Sequence, residues 1–213
     1  MRRLLFALAL VLLIVSTWLG LTRGQIVPLQ RNILYVHVPN SVCALLSFVV
    51  LLVASIGYLA TNRPAWDRVA VAAAEVGLVF ATVLNATGMI FSRAEWNVWW
   101  TPSPRLVTSA ILWFLYAVYL ILRVSLPGAQ HRTARISAVF GIIAFLDVPL
   151  VFISARFITD IHRPNFRFDS AWQTAALMLG MAGTAVLTAG LIWLRANLLG
   201  DRFRLEQESG RLE

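Results

Sequence analysis

Six long apolar stretches alternate with short polar segments along the chain. They run from Leu4 to Leu21, Ser41 to Ala60, Val69 to Ile90, Leu106 to Leu122, Ile136 to Phe157 and Ala171 to Leu194. Each is close to the roughly 20 residues that a helix needs to cross the hydrocarbon core of a bilayer. In lipid the backbone must satisfy its own hydrogen bonds, so runs of this length predict helices. The pattern therefore predicts an all-α, polytopic membrane protein with six transmembrane helices, and residues 1–213 as a single membrane domain. The first stretch follows Met1-Arg2-Arg3 like the apolar core of a signal peptide, but it is long and no small-x-small cleavage signal precedes Arg23, which predicts a retained helix. The third stretch is rich in alanine and glycine, which lets helices approach closely in lipid.

Composition agrees with this pattern: 59% of the residues are hydrophobic and 13% charged. The net charge of +8 comes from arginine, since the chain has no lysine. Eleven of the eighteen arginines fall at the N-terminus, in the second and fourth connectors and in the charged tail of residues 195–213. The other seven, Arg23, Arg31, Arg93, Arg105, Arg156, Arg163 and Arg167, fall on the opposite side. That excess places both termini in the cytoplasm by the positive-inside rule. Arginines bordering apolar spans report orientation and contact with anionic lipid, and there is no soluble basic domain to bind nucleic acid.

Candidate chemistry gathers on the outer side. Residues 91–105 form a predicted outer loop holding Trp96, Trp99 and Trp100, three of the eight tryptophans. Such a segment reads either as an interfacial anchor or as a flat apolar platform beside water. His37 and His162 fall on the same side, next to helix ends, whereas His131 falls in a cytoplasmic connector. Two imidazoles facing each other across a flat ligand is an arrangement that haem iron accepts. Arg31, Arg105, Arg156 and Arg163 are the nearest cations for its propionates. Each histidine alone reads equally as a helix-end residue bonded to backbone. Two histidines and the lone, buried-reading Cys43 do not complete a zinc set, and neither an HExxH nor a CxxC spacing occurs. There is no visible serine or cysteine triad and no Walker A loop, so any ATPase would sit on a partner chain. Asp147, two residues before Pro149 in the fifth stretch, is a carboxylate at a depth where charge is expensive. It reads as a proton or substrate handler or as a partner for backbone freed by the proline. Glu75 lies nearer the cytoplasmic end.

Three blocks carry a family resemblance: RNILYVHVP from Arg31 to Pro39, WNVWWTPSPRLVTSAIL from Trp96 to Leu112, and DVPLVFISARFITDIHRPNF from Asp147 to Phe166. In this order they resemble the CcmC branch of the haem-handling family of cytochrome c maturation, which also includes the CcsA and CcsBA proteins. The resemblance covers roughly residues 28–195. It implies a bacterial cytoplasmic (inner) membrane protein without enzymatic activity that binds haem b transiently and presents it outward to a chaperone like CcmE. The implied assembly includes transporter subunits like CcmA and CcmB and a small subunit like CcmD. Carried over by position, His37 and His162 would be axial ligands, Trp96, Trp99 and Trp100 would line the haem-facing edge, and Arg105 would hold the family's arginine position. Arg31 and Arg163 complete the candidate haem-binding set.

Departures from the family pattern fall in the same blocks. Pro102 and Ser103 stand where the family has a tryptophan and an aspartate, Asp147 stands for an asparagine, and Arg163-Pro164 stands for Gln-Gly. The loop thus loses one stacking surface and one carboxylate and gains prolines that fix its path. Two other readings stay open at this point: a cofactor-free scaffold or assembly subunit, and a membrane b-haem redox protein. The second would ordinarily need more than one haem.

Overall fold

The computed structural model describes residues 2–126, 130–157 and 168–209. Among them, α1 (Arg2–Thr22), a 3-10 turn (Leu29–Ile33), α2 (Leu34–Thr61), α3 (Pro64–Trp96), α4 (Pro104–Ser125), α5 (Gln130–Ala144), α6 (Asp147–Phe157) and α7 (Ala171–Ser209) follow in order. They provide six helical stretches long and apolar enough to cross a membrane, α5 and α6 together making the fifth. The all-α, six-crossing reading is met.

The helix ends are where the sequence pattern and the structure differ. The second crossing was expected from Ser41, but the 3-10 turn feeds directly into α2 at Leu34, and Pro39 lies inside the helix. Pro39 is close enough to the start to cost only one early backbone bond, that to the Tyr35 carbonyl. His37 is consequently a helical residue, not part of a connector. The tryptophan segment is likewise shorter as a loop than expected, because α3 continues to Trp96 and stops only where Asn97 adopts a left-handed conformation (φ 61°). Asn62 ends α2 in the same way (φ 53°). Asparagine enters this region more readily than other side chains and lets the chain leave the helix abruptly. Pro64 and Pro104 then occupy the first positions of α3 and α4, where a missing N–H costs nothing. The fifth crossing is broken at Phe145 and Leu146. Pro149 cannot donate to the Phe145 carbonyl and would clash with it, so that carbonyl instead accepts from the Val148 N–H at 3.0 Å.

A tight hairpin of α2 and α3 forms the centre, with α7 packed on both and α1 packed chiefly on α7. On the other side α4 packs on α3, α5 and α6, while α5 also packs on α2. Ala72, Ala73, Ala74 and Gly77 of α3 bring the backbones close, and a Cβ at Gly77 would stand 2.6 Å from the Phe48 ring. Phe48 in turn stacks on Tyr116 of α4, with ring centroids 3.5 Å apart. At the end opposite the tryptophan segment, Asp67 accepts two bonds from Arg123 at 2.7 and 2.8 Å, tying α3 to α4. Glu75 of α3 pairs there with Arg195 of α7. Beyond that pair α7 stays helical through the charged segment, with Gly200 lying against Arg68. Large apolar side chains such as Leu10, Phe114 and Ile121 cover the outside, as a lipid-facing surface requires.

Candidate functional site

The turn that leaves α3 is built by Arg93. Its guanidinium donates from Nη1 to the Asn97 carbonyl at 2.6 Å and lies 6.0 Å from the centre of the Trp99 ring. One cation thus closes the helix end and sits over an indole face, an arrangement worth about 0.5–1 kcal/mol at an exposed site. Trp96 points elsewhere, packing edge-on against Phe91 with centroids 5.4 Å apart. Trp99 and Trp100 remain about half exposed, at 57% and 46%. In the same loop the Thr101 and Ser103 hydroxyls are buried with no hydrogen-bond partner among the described residues.

Beneath the loop lies a cavity of about 440 Å³. Its walls come from α3 around Asn85 and Gly88, α4 from Arg105 to Phe114, Val151 and Phe152 of α6, Ser41 and Leu45 of α2, and the two indoles of Trp99 and Trp100. The volume falls in the range of roughly 300–1,000 Å³ usual for ligand pockets. Polar bonds between walls hold the base together: Trp113 Nε1 donates to Thr82 Oγ1 at 2.8 Å, and Ser109 Oγ donates to Asn85 Oδ1 at 3.3 Å. Thr108 and Ser154 hydroxyls, 3.2 Å apart, join α4 to α6. The lining is mostly apolar, with Arg105 its one charged side chain among the described residues.

His37 of α2 lies against Gly88, a residue of the cavity wall. Its Nδ1 is 2.9 Å from Thr87 Oγ1, and its Cε1 lies 3.3 Å from where a Cβ on Gly88 would be. Thr87 spends its hydroxyl proton on the carbonyls of Val83, at 2.6 Å, and Leu84, at 3.1 Å. With Thr87 accepting from His37, the imidazole proton sits on Nδ1 and the lone pair on Nε2. A neutral imidazole held this way by a neighbouring acceptor is the form that ligates metals. Gly88 and Ser41 belong to the cavity wall and touch this histidine, Ser41 Oγ donating to the His37 carbonyl at 2.6 Å. Replacing Gly88 with valine should drive branched methyls into the imidazole and detach it from Thr87. A Thr87-dependent His37 imidazole signal in nitrogen-detected NMR should then be lost while the helical content stays unchanged.

Of the sequence-predicted residues, Trp99, Trp100 and Arg105 line the cavity together, while His37 is not in its lining and lies against Gly88 of the wall. Arg31 sits apart in the 3-10 turn, where it pairs with Glu95 near the end of α3 through Nη2 and through Nε at 3.2 and 3.3 Å. That pair fastens the segment before α2 to the helix that carries the tryptophans. His162 and Arg163 lie outside the described residues, and the Arg156 side chain does as well. Arg93, Thr87, Gly88 and Asn97 escaped the sequence reading as site residues. Only Arg93 left a usable signal there, as an outer arginine four residues before Asn97.

With this geometry established, similarity to known proteins bears on it. The family model described as Heme exporter protein C matches residues 1–207. The chain is similar to Heme exporter protein C of Bradyrhizobium diazoefficiens, 26% identical over 181 residues, covering 81% of this chain and 68% of that protein. It is 27% identical over 173 residues to Heme exporter protein C of Rhodobacter capsulatus, with 77% and 70% covered. A shorter match, 34% identical over 83 residues, relates 39% of this chain to 25% of Cytochrome c biogenesis protein CcsA of Prochlorococcus marinus.

Proposed function

Because this chain belongs to the Heme exporter protein C family, we propose that it binds haem b in the cavity under the tryptophan loop and presents it to a chaperone like CcmE. Haem handling in cytochrome c biogenesis, in a multi-pass protein of the bacterial inner membrane, is the level at which family and fold agree. The observation that carries the finer reading is the cavity itself. Two indoles and an arginine line one apolar space, and the His37 imidazole lies against Gly88 of its wall. The residues fit the group on that chemistry: flat apolar faces for a porphyrin, a cation for a carboxylate and a neutral imidazole for iron.

Haem, when bound, supplies an iron that takes imidazole ligands and a planar ring with two carboxylates. His37 would bind from the α2 end and His162 would complete the pair. Trp99 and Trp100 would cover the ring without enclosing it, since both remain half exposed. Arg105 would neutralise a propionate. An exposed platform suits release better than a sealed one. In this reading the chain does no bond chemistry, and both termini with the arginine-rich end face the cytoplasm. ATP-consuming partners like CcmA and CcmB, with a small subunit like CcmD, would act alongside it.

The test is the absorption spectrum of protein purified from haem-sufficient cells, oxidised and reduced. A six-coordinate low-spin haem, transferable to an added apo-chaperone, is the expected result. Protein that stays colourless after reconstitution with haemin would leave the fold and family standing and replace the transfer role with that of a scaffold.

A further inference from the structure

We propose that Asp147 and Tyr116 form a membrane-embedded site for a proton and a bridging water, immediately below the floor of the cavity. Asp147 is the first residue of α6, at the helix break, and is only 6% exposed, yet its Oδ2 has no hydrogen-bond partner. Tyr116, on α4, is fully buried, and its hydroxyl is orphaned as well. Helical spacing brings them to one level. Val151 and Leu112 both line the cavity; Asp147 precedes Val151 by one turn on α6, and Tyr116 follows Leu112 by one turn on α4. The two helices pack against each other and run in opposite directions, so both steps lead deeper, away from the tryptophan loop. Tyr116, Leu112 and Val148 share one core.

Among the described residues no cation is placed to neutralise the carboxyl, the Arg156 side chain of α6 lying outside them. On α4 the charged residues are Arg105 at one end and Arg123 at the other, the latter engaged by Asp67. On α5 they are His131, Arg132 and Arg135, all within its first two turns, and α2 has none from Pro39 to Thr61. On α3, Glu75 is held by Arg195. Tyr116, with Tyr119 behind it, is the titratable group that faces Asp147. A bare carboxylate at this depth is expensive, and a proton removes the charge. The neutral acid still has a donor and an acceptor to satisfy, which one water between it and Tyr116 would do. Two more orphaned, fully buried hydroxyls lead away from the site: Ser55 on α2 and Ser137 on α5. Ser55 packs beside Gly141, where a Cβ would stand 3.2 Å from its Oγ, and Tyr119 closes the same spot.

Infrared spectroscopy of the full-length apo-protein in lipid nanodiscs tests this without haem, so it stands or falls separately from the transfer role. At neutral pH the wild type should show the C=O band of a protonated carboxyl, shifted down in D2O. Asp147→Asn should fold with an unchanged melting temperature and lack the band. Tyr116→Phe should keep the band but move it. A spectrum in which Asp147→Asn removes no such band, or a band indifferent to Tyr116→Phe, would overturn the proposal.

Discussion

Replacing His37 with alanine removes the six-coordinate haem spectrum and leaves a helical, membrane-inserted protein: that is the expected result of reconstituting the variant with haemin beside the wild type. The ring is held but carries no core load. It is partly exposed, bonded to Thr87 and pressed against Gly88, so its loss opens the cavity end without breaking the α2 and α3 hairpin. Added imidazole should restore part of the low-spin signal by taking the vacated place. Thr87→Val keeps the ligand but removes the acceptor that fixes its tautomer, and should weaken haem affinity by about 10-fold, the scale seen for partners that orient metal ligands. A His37→Ala protein that loads haem with an unaltered spectrum would remove His37 from the site.

The second large effect lies at the far end of the bundle and concerns stability. Asp67 is 7% exposed and the Arg123 side chain 15%, and the two share a two-pronged bond between α3 and α4. Arg123→Ala leaves Asp67 buried and unmatched, which should cost about 3–5 kcal/mol. Removing both charges in Asp67→Leu with Arg123→Met should restore most of that loss, because the cost comes from an unpaired charge more than from the missing attraction. Unfolding titrations in mixed micelles, followed by circular dichroism, measure both variants. Equal destabilisation of the single and double variants would mean that packing at this corner, not charge, holds α3 to α4.

Much of the architecture follows from local signals in the chain. The six crossings are set by apolar length, and the starts of α3 and α4 by prolines whose missing N–H suits a helix entry. The break before α6 was also available, since Pro149 marks the Phe145 carbonyl four residues earlier as unusable. What local pattern could not deliver was the extent of helix beyond the apolar runs. His37 and Trp96 belong to helices whose ends are decided by a 3-10 turn and by left-handed asparagines, not by hydropathy. Pairings across the bundle were illegible for a different reason. Arg31 reads as a spare outer cation until Glu95 is brought beside it by the fold, and nothing near Thr87 in sequence announces an acceptor for His37. The tryptophans show both limits at once: their type marked the segment, while the assignment of Trp99 and Trp100 to the cavity and Trp96 to Phe91 depended on the turn at Asn97.

The length of α7 has a mechanical meaning. Its 39 residues reach about 58 Å at 1.5 Å per residue, against a hydrocarbon layer about 30 Å thick. Nearly half of the helix therefore stands clear of lipid while staying continuous with the part that braces α1, α2 and α3. Such an element is a shaft, not a tether: tilting or twisting its far end applies torque to the bundle, and the azimuth of everything beyond Arg195 is geared to residue count. Inserting one residue there turns the far end by about 100° without lengthening it by more than about 1.5 Å.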